Sequence, residues 1–186
     1  MATIRPYQPK DRANMHHICI QTGPAAAAQP GPARTTLLAT YCDYYIDHEP
    51  QNCFVIADEQ DCAVGYIICA QDYHTYYKRF MQQYAPRTKG FSLPMRVECL
   101  ASAKLSRLFV KQYPAHLHID ILPSHQRMGL GSQLMNTLCA HLRAQGVPGV
   151  MLGVGSGNKK GRNFYNKYGF HTLLRIPFSV MMGLKL

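Results

Sequence analysis

Two short stretches of this chain hold residue types at spacings that could do chemistry. The first is His116-Leu117-His118-Ile119-Asp120-Ile121. In an extended strand alternate residues share a face, so His116, His118 and Asp120 would point one way and Leu117, Ile119 and Ile121 the other. The polar set could move protons, because histidine titrates in the range useful to a general base. Three polar residues on one strand face also suit plain exposure to water. A His-x-His-x-Asp metal site is a third option, with too few clear partner ligands elsewhere in the chain.

The second stretch is Pro123-Ser124-His125-Gln126-Arg127-Met128-Gly129-Leu130-Gly131-Ser132. Here a strand would feed a loop, and the loop would feed a helix. Gly129 and Gly131 let the backbone approach a ligand closely. Amides from about Leu130 onward would lack intrahelical partners, and with the helix dipole they form a phosphate site. Arg127 adds a positive charge beside them. Taken alone, such a loop is equally a glycine-rich turn with no ligand. The chain has no GxxxxGK[ST] and no GxGxxG with an early βαβ unit, which sets aside P-loop and dinucleotide-binding Rossmann domains. No Ser-His-Asp or Cys-His arrangement can be assigned from spacing.

These stretches need a scaffold, and the apolar pattern supplies one. Thr3–Tyr7 reads as a short strand, followed by a helix N-capped by Asp11 with Met15, Ile18 and Cys19 on its inner face. The Pro-rich segment 23–32 reads as a loop. A second helix is expected from Ala33 to about Asp47, with Leu37, Leu38, Tyr41, Tyr44 and Tyr45 as its stripe. Cys53–Ala57 and Ala63–Ala70 form a hairpin across a polar turn. Tyr73, Tyr76, Tyr77, Phe80 and Tyr84 fall on one helical face, and 94–113 reads as a further helix. Strand 116–122, helix 132–144 stopped by Gly146, strand 150–154, helix 158–168 closed by Gly169, and strands 170–174 and 178–184 complete the chain. Strands interrupted by helices and closed by a hairpin make an α/β mixed sheet.

The chain has 186 residues, 20 Lys+Arg, 10 Asp+Glu and a net charge of +10, with 47% hydrophobic residues. That is one domain with a real core. The basic excess favours an anionic partner such as nucleic acid, an acidic membrane surface or a phosphorylated cofactor, and suits a neutral basic surface as well. Seven cysteines form no CxxC pair, which argues against a zinc ribbon or a thioredoxin-like centre. Cys53, Cys62, Cys69 and Cys139 lie in apolar runs as small hydrophobes, which fits a reducing compartment. The start of the chain has no apolar signal core, and the longest apolar stretch, 62–70, is about half of a membrane span. A cytoplasmic protein with no membrane partner is expected.

The sequence resembles the GNAT superfamily of acetyl-CoA-dependent N-acetyltransferases. Gln126-Arg127-Met128-Gly129-Leu130-Gly131 matches that family's [QR]-x-x-G-x-[GA] loop, and Asn158 through Phe170 matches its later N-x-x-A-x-x-F/L-Y-x-x-x-G-F pattern, with Gly161 in place of alanine. The resemblance implies a mixed central sheet of six to seven strands flanked by helices, spanning 1–186 as one domain. Residues 72–114 stand outside the minimal pattern as a helical insertion before the cofactor-binding strand. It implies acetyl-CoA as co-substrate, with its pyrophosphate on the amides of Arg127 to Ser132 and its pantetheine along Asp120 to Leu122, contacting Ile121, Leu122 and Asn158. Gln126, Met128, Leu130 and Gly131 belong to that loop, and Arg162 could meet the CoA phosphates. Tyr165 would protonate the departing thiolate. His116-Leu117-His118 looks like the His-x-His pair of arylalkylamine acetyltransferases, so His118 or His116 would be the base, with Asp120 orienting or tuning it. Backbone amides near Leu122 would polarise the thioester carbonyl.

Tyr73, Tyr76 and Tyr77 in the insertion are expected to line or cover the acceptor site, since specificity can reside in an insertion beside a cleft. The acceptor would be a small-molecule or peptide amine, and a homodimer is left open. No nucleic-acid motif is present. A looser resemblance to the acetyltransferase-like domains attached to O-GlcNAc hydrolases gives an alternative, a non-catalytic GNAT-like acetyl-CoA or protein-binding module.

Overall fold

In the computed structural model, which describes residues 2–90 and 92–186, strands and helices alternate as their apolar patterns require. The chain runs β1 (Thr3–Pro6), α1 (Arg12–Thr22), α2 (Pro32–Leu38), a π-helical turn (Ala39–Asp43) and α3 (Tyr44–His48). Next come β2 (Cys53–Ala57), β3 (Ala63–Ala70), α4 (Tyr73–Arg79), a second π-helical turn (Phe80–Tyr84) and α5 (Leu93–Ser106). The remaining elements are β4 (Ala115–Ile121), α6 (Leu130–Ala144), β5 (Gly149–Gly155), α7 (Lys159–Tyr168), β6 (His171–Ile176) and β7 (Ser179–Lys185).

Seven strands form one sheet in the order β1-β2-β3-β4-β5-β7-β6. All pairs are antiparallel except β4 with β5, and that pair holds only at Ala115↔Val150 and His116↔Met151. Beyond it the two strands part. β4 stays on β3 as far as Gly65↔Ile121, while β5 stays on β7 as far as Gly155↔Ser179. A wedge-shaped slot therefore opens in the middle of the sheet.

Each face of the sheet is covered by its own apolar cluster. On one face α6 lays down Leu134, Met135, Leu138 and Leu142, all buried, against Leu117, Val150 and Val154. Their spacing is the helical stripe read from the sequence, and each such side chain contributes about 1.5–3 kcal/mol of burial. On the other face α1, the α2–α3 segment and α4 bring Met15, Ile18, Tyr45, Tyr73 and Tyr76 against Tyr66, Ile68 and Met151. The segment between β3 and β4 carries α4, the second π-helical turn and α5. Gly90, between the π turn and α5, packs closely on α2, where a Cβ would stand 2.2 Å from the Pro32 carbonyl oxygen.

Several expectations need correction. The helix expected over 94–113 stops at Ser106, and the chain tightens through successive turns so that Tyr113 can be buried ahead of β4. The helix expected over 33–47 is interrupted by the π turn at 39–43. Asp11 does not cap α1 with its side chain. That carboxylate instead accepts from the Gln8 N–H at 2.8 Å and from Arg5 at 2.7 and 2.9 Å. Cys62 is exposed at the turn after β2, while Cys53, Cys69 and Cys139 are buried as expected.

Candidate active site

The loop from β4 into α6 presents backbone donors. Gly129 is the N-cap of α6 at φ 78, a left-handed conformation that favours glycine, and no side chain caps the helix. The first helical bond runs from Gln133 N–H to the Gly129 carbonyl, so the amides of Leu130, Gly131 and Ser132 have no helical acceptor. Arg127, at φ 64, is also left-handed and its side chain is exposed. A non-glycine residue held there costs about 1 kcal/mol, which the loop carries beside its uncapped helix end. Gly129 faces open space, with nothing within 4 Å of where its Cβ would be. Backbone amides, a helix dipole and one guanidinium are the parts from which an anion site can be built.

The slot continues from that loop. Leu122 donates its N–H to the Val64 carbonyl at 3.0 Å. By the alternation of an antiparallel ladder, Asp120 and His118 face β3 in the same way. Ile119 and Ile121 therefore turn their backbone groups toward the slot. The amide near Leu122 that was expected to polarise a carbonyl is thus already paired, and the available N–H groups belong to Ile119 and Ile121. Gln126 Nε2 donates to the Ile121 carbonyl at 2.8 Å, so the Gln126 side chain shapes the loop where it leaves β4. Across the slot, Gly153 and Gly155 leave β5 bare of side chains. Sequence reasoning missed this pair, although glycine at alternate strand positions signals close approach of a ligand or backbone.

His116, His118 and Asp120 do share the face opposite α6. His116 Nδ1 lies 2.8 Å from the Tyr45 hydroxyl. His118 packs edge-on against Tyr41, Tyr45 and His116 at centroid distances of 5.1, 5.4 and 4.9 Å. Burial pushes His116 down to about 4, and burial together with His116 pushes His118 well below its ordinary value. Both imidazoles are neutral at pH 7. Asp120 does not orient either histidine. Its Oδ2 accepts from the Tyr66 hydroxyl at 2.7 Å, on the strand that β4 pairs with. Burial raises Asp120 to about 6 against the opposing effect of that hydrogen bond.

Two residues of α7 point to different jobs. Tyr165 is half-buried beside Phe164 and Phe170, and its hydroxyl has no hydrogen-bond partner among the described residues. Burial, aided by the Asp120 carboxylate, pushes its phenol up, so it holds its proton. Asn158 is the N-cap of α7, its Oδ1 accepting from Gly161 N–H at 2.8 Å. A Cβ on Gly161 would stand 2.7 Å from Asn158 Nδ2, so the glycine that departs from the family pattern makes room for this cap. Arg162 follows in the first turn of α7, half-buried.

A cavity of about 210 Å³ opens at the apex of the slot. His116 and His118 line it from β4, Gly153 and Gly155 from β5, and Tyr73 and Tyr76 from α4. Tyr77 does not line it, and instead lies under the Arg107 guanidinium at 5.0 Å. Thr40, Tyr41 and Phe80 enter from the two π turns, Ser102 and Ser106 from α5, and Phe178 from the β6–β7 turn. Those turns carry no motif, and only tertiary packing brings them here. π turns inside helices often mark functional positions.

Residues 21–170 match the Acetyltransferase (GNAT) family. Protein O-GlcNAcase of Rattus norvegicus is 26% identical over 192 residues, covering 94% of this chain and 20% of that protein. The chain thus spans about a fifth of the length of the curated relatives it matches. The crystal structure of SsHAT superposes with a TM-score of 0.85 at 29% identity, covering 99% of this chain and 98% of the other. The polyamine N-acetyltransferase of Drosophila melanogaster, which forms N-acetylagmatine, shares the fold with a TM-score of 0.71 at 17% identity, covering 100% of both chains. With its two motifs, its split sheet and a match over most of its length, the chain belongs to the GNAT acetyltransferase family.

Proposed function

We propose that this protein is an N-acetyltransferase that moves an acetyl group from acetyl-CoA to a primary amine by direct attack. The observation that carries this reading is the slot. It runs from an uncapped, basic helix N-terminus at one end to a cavity lined by two neutral histidines at the other. Leu130, Gly131 and Ser132 amides hold the pyrophosphate, with Arg127 neutralising it and Met128 on the exposed rim. The pantetheine arm lies along β4 as an added strand would, pairing with Ile121. Acetyl-CoA supplies an activated thioester. Ile119 N–H polarises its carbonyl, a donor fixed by the sheet before substrate arrives. The amine enters a site where burial disfavours cations, so it sheds one proton to water before attack. His118 takes the second proton as the nitrogen becomes acidic on bond formation. The Asp120 carboxylate, two residues along the same face, steadies the imidazolium that results. Tyr165 gives its proton to the leaving thiolate. Buried free cysteines, Cys19, Cys42, Cys53, Cys69 and Cys139, support a reducing, cytoplasmic setting.

A thiol-release assay with acetyl-CoA and a panel of amines tests this, with the acetylated product identified by mass. Thiol release that depends on the amine is expected. The match to O-GlcNAcase favours a second reading, a module that binds acetyl-CoA without transferring it. That reading predicts binding with no turnover of any amine.

A further inference from the structure

The cavity at the slot's apex is notable for what it lacks. Among the described residues, none that lines it is Asp, Glu, Lys or Arg. Its walls are the rings of Tyr41, Tyr73, Tyr76, Phe80 and Phe178, with the side chains of Thr40, Ser102, Ser106 and Ser179 between them. Tyr76 stacks on Phe80 at 5.5 Å, and Tyr73 and Tyr76 pack against His116 at 5.4 and 5.3 Å. An imidazole is neutral or cationic, so its two histidines supply no counter-ion to an ammonium either. A second ammonium on the acceptor would be buried there with no carboxylate among the described residues to pair with it, which is unfavourable. A dry cavity of about 150 Å³ takes a benzene molecule, so about 210 Å³ holds an aromatic ring with a short amine arm.

We propose that the acceptor is a primary monoamine with an uncharged apolar body about the size of an aromatic ring. This rests on the N-acetyltransfer reading and narrows its substrate class. The amine nitrogen bonds to the acetyl carbon, the C–S bond breaks, the nitrogen gives up one proton and the thiolate gains one. Aromatic rings grip the body, and the single amine points to the slot.

The test compares kcat/KM for 2-phenylethylamine, 1,4-diaminobutane, glucosamine and a lysine-bearing peptide at saturating acetyl-CoA. We expect 2-phenylethylamine to lead each of the others by about 100-fold. Preference for the diamine, the sugar or the peptide overturns the proposal and leaves N-acetyltransfer standing. Acetyl-CoA binding with no turnover of any amine overturns N-acetyltransfer itself, and this proposal with it. Ser102→Asp places a carboxylate in the wall and should raise diamine turnover about tenfold while lowering that of 2-phenylethylamine. An unchanged ratio between the two in folded Ser102→Asp would show that the acceptor body sits elsewhere. Phe178→Ala alters a side chain that is 67% exposed at the rim, and gives a variant that does not disturb the core. It should raise KM for 2-phenylethylamine about tenfold with KM for acetyl-CoA unchanged, and equal KM values for wild type and variant would again overturn the proposal.

Discussion

The two ends of the slot do their work with different parts of the chain. At the α6 end the donors are backbone amides, the loop is largely exposed, and Arg127 contributes a charged side chain. At the cavity end the wall is largely side chains, drawn from β4, α4, α5 and both π turns, with Gly153 and Gly155 of β5 as its bare stretch. A site made of backbone needs glycine at fixed places, so it leaves a short local signature. A site made of side chains needs distant segments to pack, so only the pieces within one strand or helix show in the sequence.

If that contrast is right, mutations at the two ends should fail differently. Gly129→Glu puts strain and negative charge where the anion sits, and should weaken acetyl-CoA binding by about 100-fold in calorimetry with the fold intact. A cavity substitution that did the same would erase the distinction. Tyr165→Phe removes the proton donor and should lower kcat by about 100-fold with KM for acetyl-CoA unchanged. His118→Ala should match it in kcat, and chemistry measured in a single turnover checks both.

Asp120 sharpens the comparison through pH. Its ordinary value is 3.8 and burial holds it at about 6, so kcat/KM should fall below about pH 6. Asp120→Asn should lower kcat/KM about tenfold and remove that inflection. The folded state binds the Asp120 proton more tightly than the unfolded state does, so its contribution is fully present at low pH and is lost as pH rises through about 6. Asp120→Asn should therefore stabilise the fold at pH 7, by on the order of 2 kcal/mol, read as a raised Tm. His116 works in the opposite sense. Its ordinary value of 6.5 falls to about 4, so its contribution is present above 6.5 and lost as pH drops toward 4. The smallest effect belongs to the α7 cap. Asn158→Ala should cost about 1 kcal/mol in denaturant unfolding, and a larger loss of acetyl-CoA affinity than of stability would restore Asn158 as a ligand contact.

The sheet, its helices and the anion loop were readable because each rests on local rules. Alternation placed His116, His118 and Asp120 on one face, and glycine spacing placed the loop at the start of α6. Leu134, Met135, Leu138 and Leu142 announced the helix that covers the other face. What escaped the sequence is long-range. Nothing local says that Tyr66 would claim Asp120, that Val64 would claim the Leu122 amide, or that β4 and β5 would part after His116. Tyr73 and Tyr76 were singled out and do line the cavity, whereas Tyr77, one residue on, turns to Arg107. The aromatic stripe could not separate them, because Tyr73, Tyr76 and Tyr77 share one face of α4 and only the packing around it tells them apart.

The central claim is that the parted strands receive acetyl-CoA through the odd-numbered amides of β4 and the first turn of α6. Backbone amide NMR during an acetyl-CoA titration tests it most directly. The account predicts the largest shifts at Ile119, Ile121, Leu130, Gly131 and Ser132, with His118, Asp120 and Leu122, whose backbone faces β3, moving less. Shifts elsewhere on the surface, or none at saturating acetyl-CoA, would contradict it.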